Sequence, residues 1–97
     1  MSDAAGLLGL CVRSRKLASG DTIYKELSAH HVHLLILADD IGANAQKKLT
    51  DKCSYYKVPC VYMDAALMNQ AIGERNRKAV AVLDKGFASA LGTCLKG

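Results

Sequence analysis

Three groups of residues have the types and spacing that chemistry could use. Asp39-Asp40 directly follow the apolar run Leu34 to Ala38, which places two carboxylates at the C-terminal end of a buried strand, where α/β folds put ligand groups. Such a pair could hold Mg²⁺. The plainer reading, that one carboxylate caps the next helix and the other is solvated, is favoured. No GxGxxG, GxxxxGK[ST] or GxSxG accompanies the pair to handle a phosphate or an acyl group. His30-His31-x-His33 suggests a metal, but adjacent histidines diverge on a helix, and no Cys lies within a few residues to complete a local site. A polar helix end is the better account. Cys53 and Cys60 are seven residues apart and form no CxxC with each other or with Cys11 and Cys94. Without an export signal, the four read as reduced, mostly buried thiols of a cytoplasmic protein. No catalytic residue, metal or cofactor is expected, and the chain does not read as an enzyme.

The basic residues carry more information as a set. Thirteen Lys and Arg stand against nine Asp and Glu, a net charge of +4, and the pI is about 9.0. An anionic partner is favoured. Aromatic residues make up 5% and there is no Trp, which argues against reading single strands by base stacking. Arg13, Arg15 and Lys16 end the first helix, and Lys25 belongs to the second. Asn44, Lys47 and Lys48 stand near the start of the third, while Arg75, Arg77 and Lys78 lie in the loop before the last strand. If strands and helices alternate, the turn before the second helix, the start of the third and that loop share one edge. Such an edge grips phosphates. Charge alone fits a solvated surface equally well.

The elements that must position these residues follow from periodicity. A chain of 97 residues, 51% apolar, supports one domain over 1–97 with one modest core. No run of 18 uncharged apolar residues crosses a membrane, and Met1 to Leu10 lacks a basic start for a signal peptide. Ala4, Leu7, Leu8, Cys11 and Val12 form a first helical stripe. Leu17-Ala18 is extended, and Ser19-Gly20-Asp21-Thr22 supplies turn and N-cap chemistry for a helix carrying Ile23 and Leu27. Leu34 to Ala38 is a strand buried on both faces. A third helix over about Gly42 to Lys57 carries the stripe Ala45, Leu49, Cys53 and Tyr56. Cys60 to Met63 is a strand after Pro59, and Ala65 to Ile72 a helix stopped by Gly73. Ala79 to Leu83 is a second doubly buried strand, after which Asp84 caps a last helix bearing Phe87, Leu91 and Leu95. The alternation implies an α/β/α sandwich around a four-stranded sheet, mostly parallel or mixed, whose short first strand need not be parallel.

Leu8-Gly9-Leu10-Cys11-x-Arg13-Ser14-Arg15-Lys16, Ser19-Gly20-Asp21 through Lys25, Leu35 to Asp40, Ala43 to Cys53, Tyr55-Tyr56-Lys57-Val58-Pro59, Ala71-Ile72-Gly73, Val80-Ala81-Val82 and Asp84 to Ala88 occur in that order. Over nearly its full length the chain thereby resembles the L-seven-Ae/L-thirty-e ribosomal protein family, in particular its small bacterial YlxQ-type branch. The resemblance implies an α/β/α sandwich that binds kink-turn RNA, a sharply bent internal loop with sheared G·A pairs. It implies contacts from Gly20, Asp21, Thr22 and Lys25 at the opened groove, from Ile41 after the second main strand, and from the closing loop Glu74, Arg75, Asn76, Arg77 and Lys78. Asn44, Lys47 and Lys48 are further candidates.

The sequence departs from the family pattern in four places. Gly20 and Lys25 enclose four residues where the family turn has five. Asp21-Thr22 stand near the place of Asn-Glu, and Met68-Asn69 replace Leu-Gly. The closing loop is Glu-Arg-Asn-Arg-Lys rather than partly apolar. These changes imply a more electrostatic, more salt-sensitive grip. The expected protein is thus a non-catalytic, ribosome-associated monomer whose partner is structured RNA, ribosomal RNA first. A protein–protein module on the same fold is the alternative, and a small metal-dependent enzyme the more remote one.

Overall fold

The computed structural model describes residues 4–73 and 77–95. Among the described residues nine elements alternate as the periodicity predicts: α1 (Ala4–Arg13), β1 (Leu17–Ser19), α2 (Thr22–Ser28), β2 (Leu34–Ala38), α3 (Ala43–Tyr56), β3 (Cys60–Met63), α4 (Ala65–Ile72), β4 (Ala79–Val82) and α5 (Lys85–Leu95). The strands form one sheet in the order β1-β4-β2-β3. All five residues of β2 and all four of β4 are buried, as their unbroken apolar runs require of central strands covered on both faces.

The residue alternation of the strands sorts the core into two layers. Leu34, Ile36, Ala38, Val80 and Val82 face one way, onto Leu8 and Cys11 of α1, Met68 and Ile72 of α4, and Ala88 and Leu91 of α5. Leu35, Leu37, Ala79 and Ala81 face the other way, onto Ile23 and Leu27 of α2 and Leu49 and Cys53 of α3. The result is a three-layer α/β/α sandwich. Each large aliphatic side chain fully withdrawn from water here contributes about 1.5–3 kcal/mol.

Of the two sheet types expected, the mixed one is present. β2 and β3 are parallel, but β4 runs antiparallel to both β2 and β1. The reason lies in where the chain re-enters the sheet. Ala79 lies opposite Leu37, one residue before the end of β2. A strand that starts there must run back against β2.

Two local expectations are corrected. Asp21 occupies the N-cap of α2 but has helical φ and ψ and makes no side-chain cap bond. The stripe of α3 narrows to Leu49 and Cys53, with Tyr56 half-buried; Ala43, Asn44 and Ala45 are all exposed, so the first turn stands clear of the core.

Candidate nucleic-acid interface

One end of the sheet collects segments from across the chain. β1 ends there at Ser19, paired with Val80. β2 and β3 end there side by side, Ala38 opposite Met63, and β4 begins there. The turn Gly20-Asp21, the β2–α3 connection that leads into the start of α3, and Arg77-Lys78 therefore share one edge; the sequence predicts this of the turn, the start of the third helix and the loop, whose residues 74–76 fall outside the described residues.

Gly20 is built for its place. Its φ of +67° lies in the left-handed region that glycine adopts without strain. A Cβ at this position would sit 2.8 Å from Nη1 of Arg77, so the missing side chain also makes room for that guanidinium. Gly20, Asp21, Tyr24, Arg77 and Lys78 help line a shallow cleft of about 240 Å³. Asp21 is exposed at its rim, the adjacent Thr22 is exposed, and Lys25 is exposed one turn further along α2.

Arg77 and Lys78 are fixed by their backbones. The Ala38 amide donates to the Lys78 carbonyl at 2.8 Å, extending the β2–β4 ladder past its last pair. The Arg77 amide donates to Oδ1 of Asn69 at 2.9 Å, while Nδ2 of Asn69 donates to the Ala65 carbonyl at 2.8 Å. Asn69 thus locks the approach to β4 onto α4. Sequence reading missed this role, because Asn69 stood out only as a departure from Leu-Gly.

The acidic pair is used differently from the expectation that one member caps α3. Oδ1 of Asp39 accepts from the Ala65 amide at 3.2 Å, at the start of α4, where Asp64 accepts from the Leu67 amide at 3.0 Å. Asp40 pairs with Lys78 at 2.8 Å. The N-cap of α3 is Gly42, with no side-chain cap bond. No group of three His, Cys, Asp or Glu capable of holding a metal ion occurs among the described residues.

Several of the remaining candidate residues already have partners. Ile41 is half-buried against the α2–α3 side of the core, and Asn44 is exposed in the first turn of α3. Lys47 pairs with Asp51 at 3.1 Å. Lys48 stands over the Tyr24 ring, 4.7 Å from its centroid. Arg15 and Lys16 lie at the opposite end of the sheet, where the Leu83 amide donates to the Lys16 carbonyl. The histidines share that far end: Nδ1 of His31 is 3.1 Å from Glu26, and His30 meets the Tyr56 ring edge-on. Glu74, Arg75 and Asn76, expected to contact RNA, fall outside the described residues.

The cysteines form no site at this edge. Burial, with a lesser contribution from the Asp84 carboxylate, pushes the Cys11 thiol up to about 11. Cys53 and Cys60 influence each other's titration: the neighbouring Cys60 and burial raise the Cys53 thiol, while Cys53 lowers Cys60.

An α/β/α sandwich with a glycine turn and a cationic strand approach at one sheet end defines a class. The chain belongs to the Ribosomal protein L7Ae/L30e/S12e/Gadd45 family, whose model matches residues 3–92. Among its relatives is the RNA-binding protein YlxQ of Bacillus subtilis (strain 168), 45% identical over 87 residues that cover 88% of this chain and 87% of that protein. The RNA-binding protein YlxQ of Enterococcus faecium is 33% identical over 96 residues, covering 97% of this chain and 92% of that one. A solved structure of a protein with unknown function from Bacillus halodurans C superposes with a TM-score of 0.92 at 32% identity, with full coverage of both chains. The chain is of the YlxQ-type branch. Among the described residues no helix is long and apolar enough to cross a membrane.

Proposed function

We propose that this chain is a non-catalytic RNA-binding domain that recognises a sharply bent, kink-turn-like element of structured RNA, with ribosomal RNA as its partner and the monomer as its working form. The observation that carries the reading is the convergence of the Gly20-Asp21 turn, Arg77-Lys78 and the β2–α3 connection at one sheet end. The names of the two YlxQ relatives support RNA as the ligand.

The physical logic is that of shape recognition. A tight bend crowds phosphates together and opens base edges, so a binder needs cations and a closely approaching backbone more than aromatic rings. The glycine turn makes room for the Arg77 guanidinium at this edge. Arg77, Lys78 and Lys25 answer the crowded phosphates, and Asp21 accepts from a base amino or imino group. By binding the bent form better than the extended one, the protein shifts the RNA population toward the bend. Arg75 and the rest of the closing loop complete the contact.

A titration separates this reading from its rivals. Affinity for a kink-turn RNA is expected to exceed that for a plain duplex of equal length, and to fall several-fold for each doubling of salt. Equal binding to the two RNAs, or no binding at low salt, sinks kink-turn recognition.

A further inference from the structure

Rings are scarce in this chain: four Tyr, one Phe and no Trp. Three of the four tyrosines nevertheless lie on the α2–α3 layer: Tyr24, which also lines the cleft at the sheet end, and Tyr55 and Tyr56 further along α3. Tyr24 lies under the ammonium of Lys48, and Oη of Tyr56 is 3.4 Å from Oγ of Ser28. Tyr55 is 78% exposed. It meets Tyr56 edge-on, with centroids 4.8 Å apart and planes at 87°. With a single edge-on neighbour among the described residues and 78% exposure, at least one face of the Tyr55 ring is open.

Tyr55 and Tyr56 line an open groove of about 550 Å³ with Lys48, Lys52 and Asp51. Lys48, Lys52 and Tyr55 are four and three residues apart on α3, the spacing that puts side chains on one helix face. The one carboxylate of the groove, on Asp51, is 3.1 Å from Nζ of Lys47. A flat apolar face beside two lysines matches the two halves of a nucleotide, a base to stack and phosphates to neutralise. An acidic peptide would satisfy the lysines and leave the ring face unused.

We propose that this groove is a second RNA site, in which an unpaired base stacks on Tyr55 while Lys48 and Lys52 hold the flanking phosphates. The site extends the RNA reading above and rests on it for its setting. It takes a single-stranded extension of the structured RNA held at the sheet end.

The absence of Trp makes tyrosine emission a direct readout. The probe is a single-stranded oligouridylate of about six nucleotides, within the site size of such grooves. It is expected to bind and to quench tyrosine emission. Tyr55→Ala is expected to weaken it about five-fold or more, the effect of losing one stacked base. Tyr55→Phe keeps the affinity and shows a smaller quench. On kink-turn RNA, a single-stranded extension should tighten binding to the native protein and not to Tyr55→Ala, while blunt kink-turn RNA binds both alike. Thermal melting confirms that each variant is folded. Failure of the oligouridylate to bind, an unchanged affinity in Tyr55→Ala, or equal loss on blunt and extended RNA overturns the site. Equally tight binding of poly-glutamate, which would mark a merely cationic groove, also overturns it. Oligouridylate binding without any preference for kink-turn RNA sinks the earlier reading and leaves this one standing.

Discussion

Nζ of Lys78 lies 2.8 Å from Oδ2 of Asp40, an ion pair that joins the approach to β4 to the turn after β2. The two side chains are about half exposed. At such exposure the pair contributes at most about 1 kcal/mol to stability. Its effect is to aim the ammonium, and it places a carboxylate at the edge offered to phosphates.

That balance makes the two partners separable. Lys78→Ala is expected to weaken RNA binding, and Asp40→Asn to leave it unchanged or tighten it by removing a repelling charge. Both should shift the unfolding free energy by less than about 1 kcal/mol. Titrations of the variants against one RNA at fixed salt, with a urea melt of each, check this.

Gly20→Ala combines two injuries. A side chain in the left-handed region costs about 1–2 kcal/mol, and the new Cβ collides with Arg77 Nη1, which must move. The expected result is a lower urea midpoint with unchanged slope, together with a loss of RNA affinity greater than the stability loss explains. Wild-type affinity in a folded Gly20→Ala protein would show that Arg77 need not stand there.

Asn69→Ala should act at a distance from the RNA. It leaves the Arg77 amide without its acceptor at 2.9 Å and frees the approach to β4. Unfolding should become easier by about 1–3 kcal/mol, the cost of an orphaned, part-buried donor. RNA affinity should fall, and hydrogen exchange at the Arg77 amide should quicken. Asn69→Asp keeps the acceptor but sets a carboxylate oxygen against the Ala65 carbonyl, so it should restore slow exchange only in part.

The thiols give a dependence on pH. The Cys11 thiol titrates near 11 in the folded chain against 9.0 when unfolded. As pH rises from 9.0 toward 11, the unfolded chain releases this proton and the folded one keeps it, so stability falls. Cys11→Ala should flatten that fall in urea midpoints measured up the alkaline range. With a small alkylating reagent, Cys60, lowered by the neighbouring Cys53, should react before Cys53 and Cys11 in mass spectra taken over time.

The sequence made much of this fold legible. The unbroken runs of β2 and β4 announced central, doubly covered strands, and the bounds of β3 and α4 follow from Pro59 and Gly73. Local signals stop where partners are distant. Nothing near Asp39 says that it will accept from Ala65, 26 residues on, and nothing near Ala79 says that β4 will run against β2. Asp21 has the residue type of a cap, yet its helical backbone gives its carboxylate no turn to bond. The sheet-end cluster was foreseeable because alternation of strand and helix fixes which loops meet. The gathering of Tyr24, Tyr55 and Tyr56 was not, since overall composition hides where a few rings are placed.

The strand order also has a consequence during synthesis. β1 is hydrogen-bonded only to β4, the last strand to be made, and β4 is inserted between β1 and β2. A growing chain therefore cannot hydrogen-bond β1 into the sheet until β4 has been made. Products that end before Lys78 carry most of the Lys and Arg residues but lack β4. The sheet end is thus completed only by the last strand in the chain order.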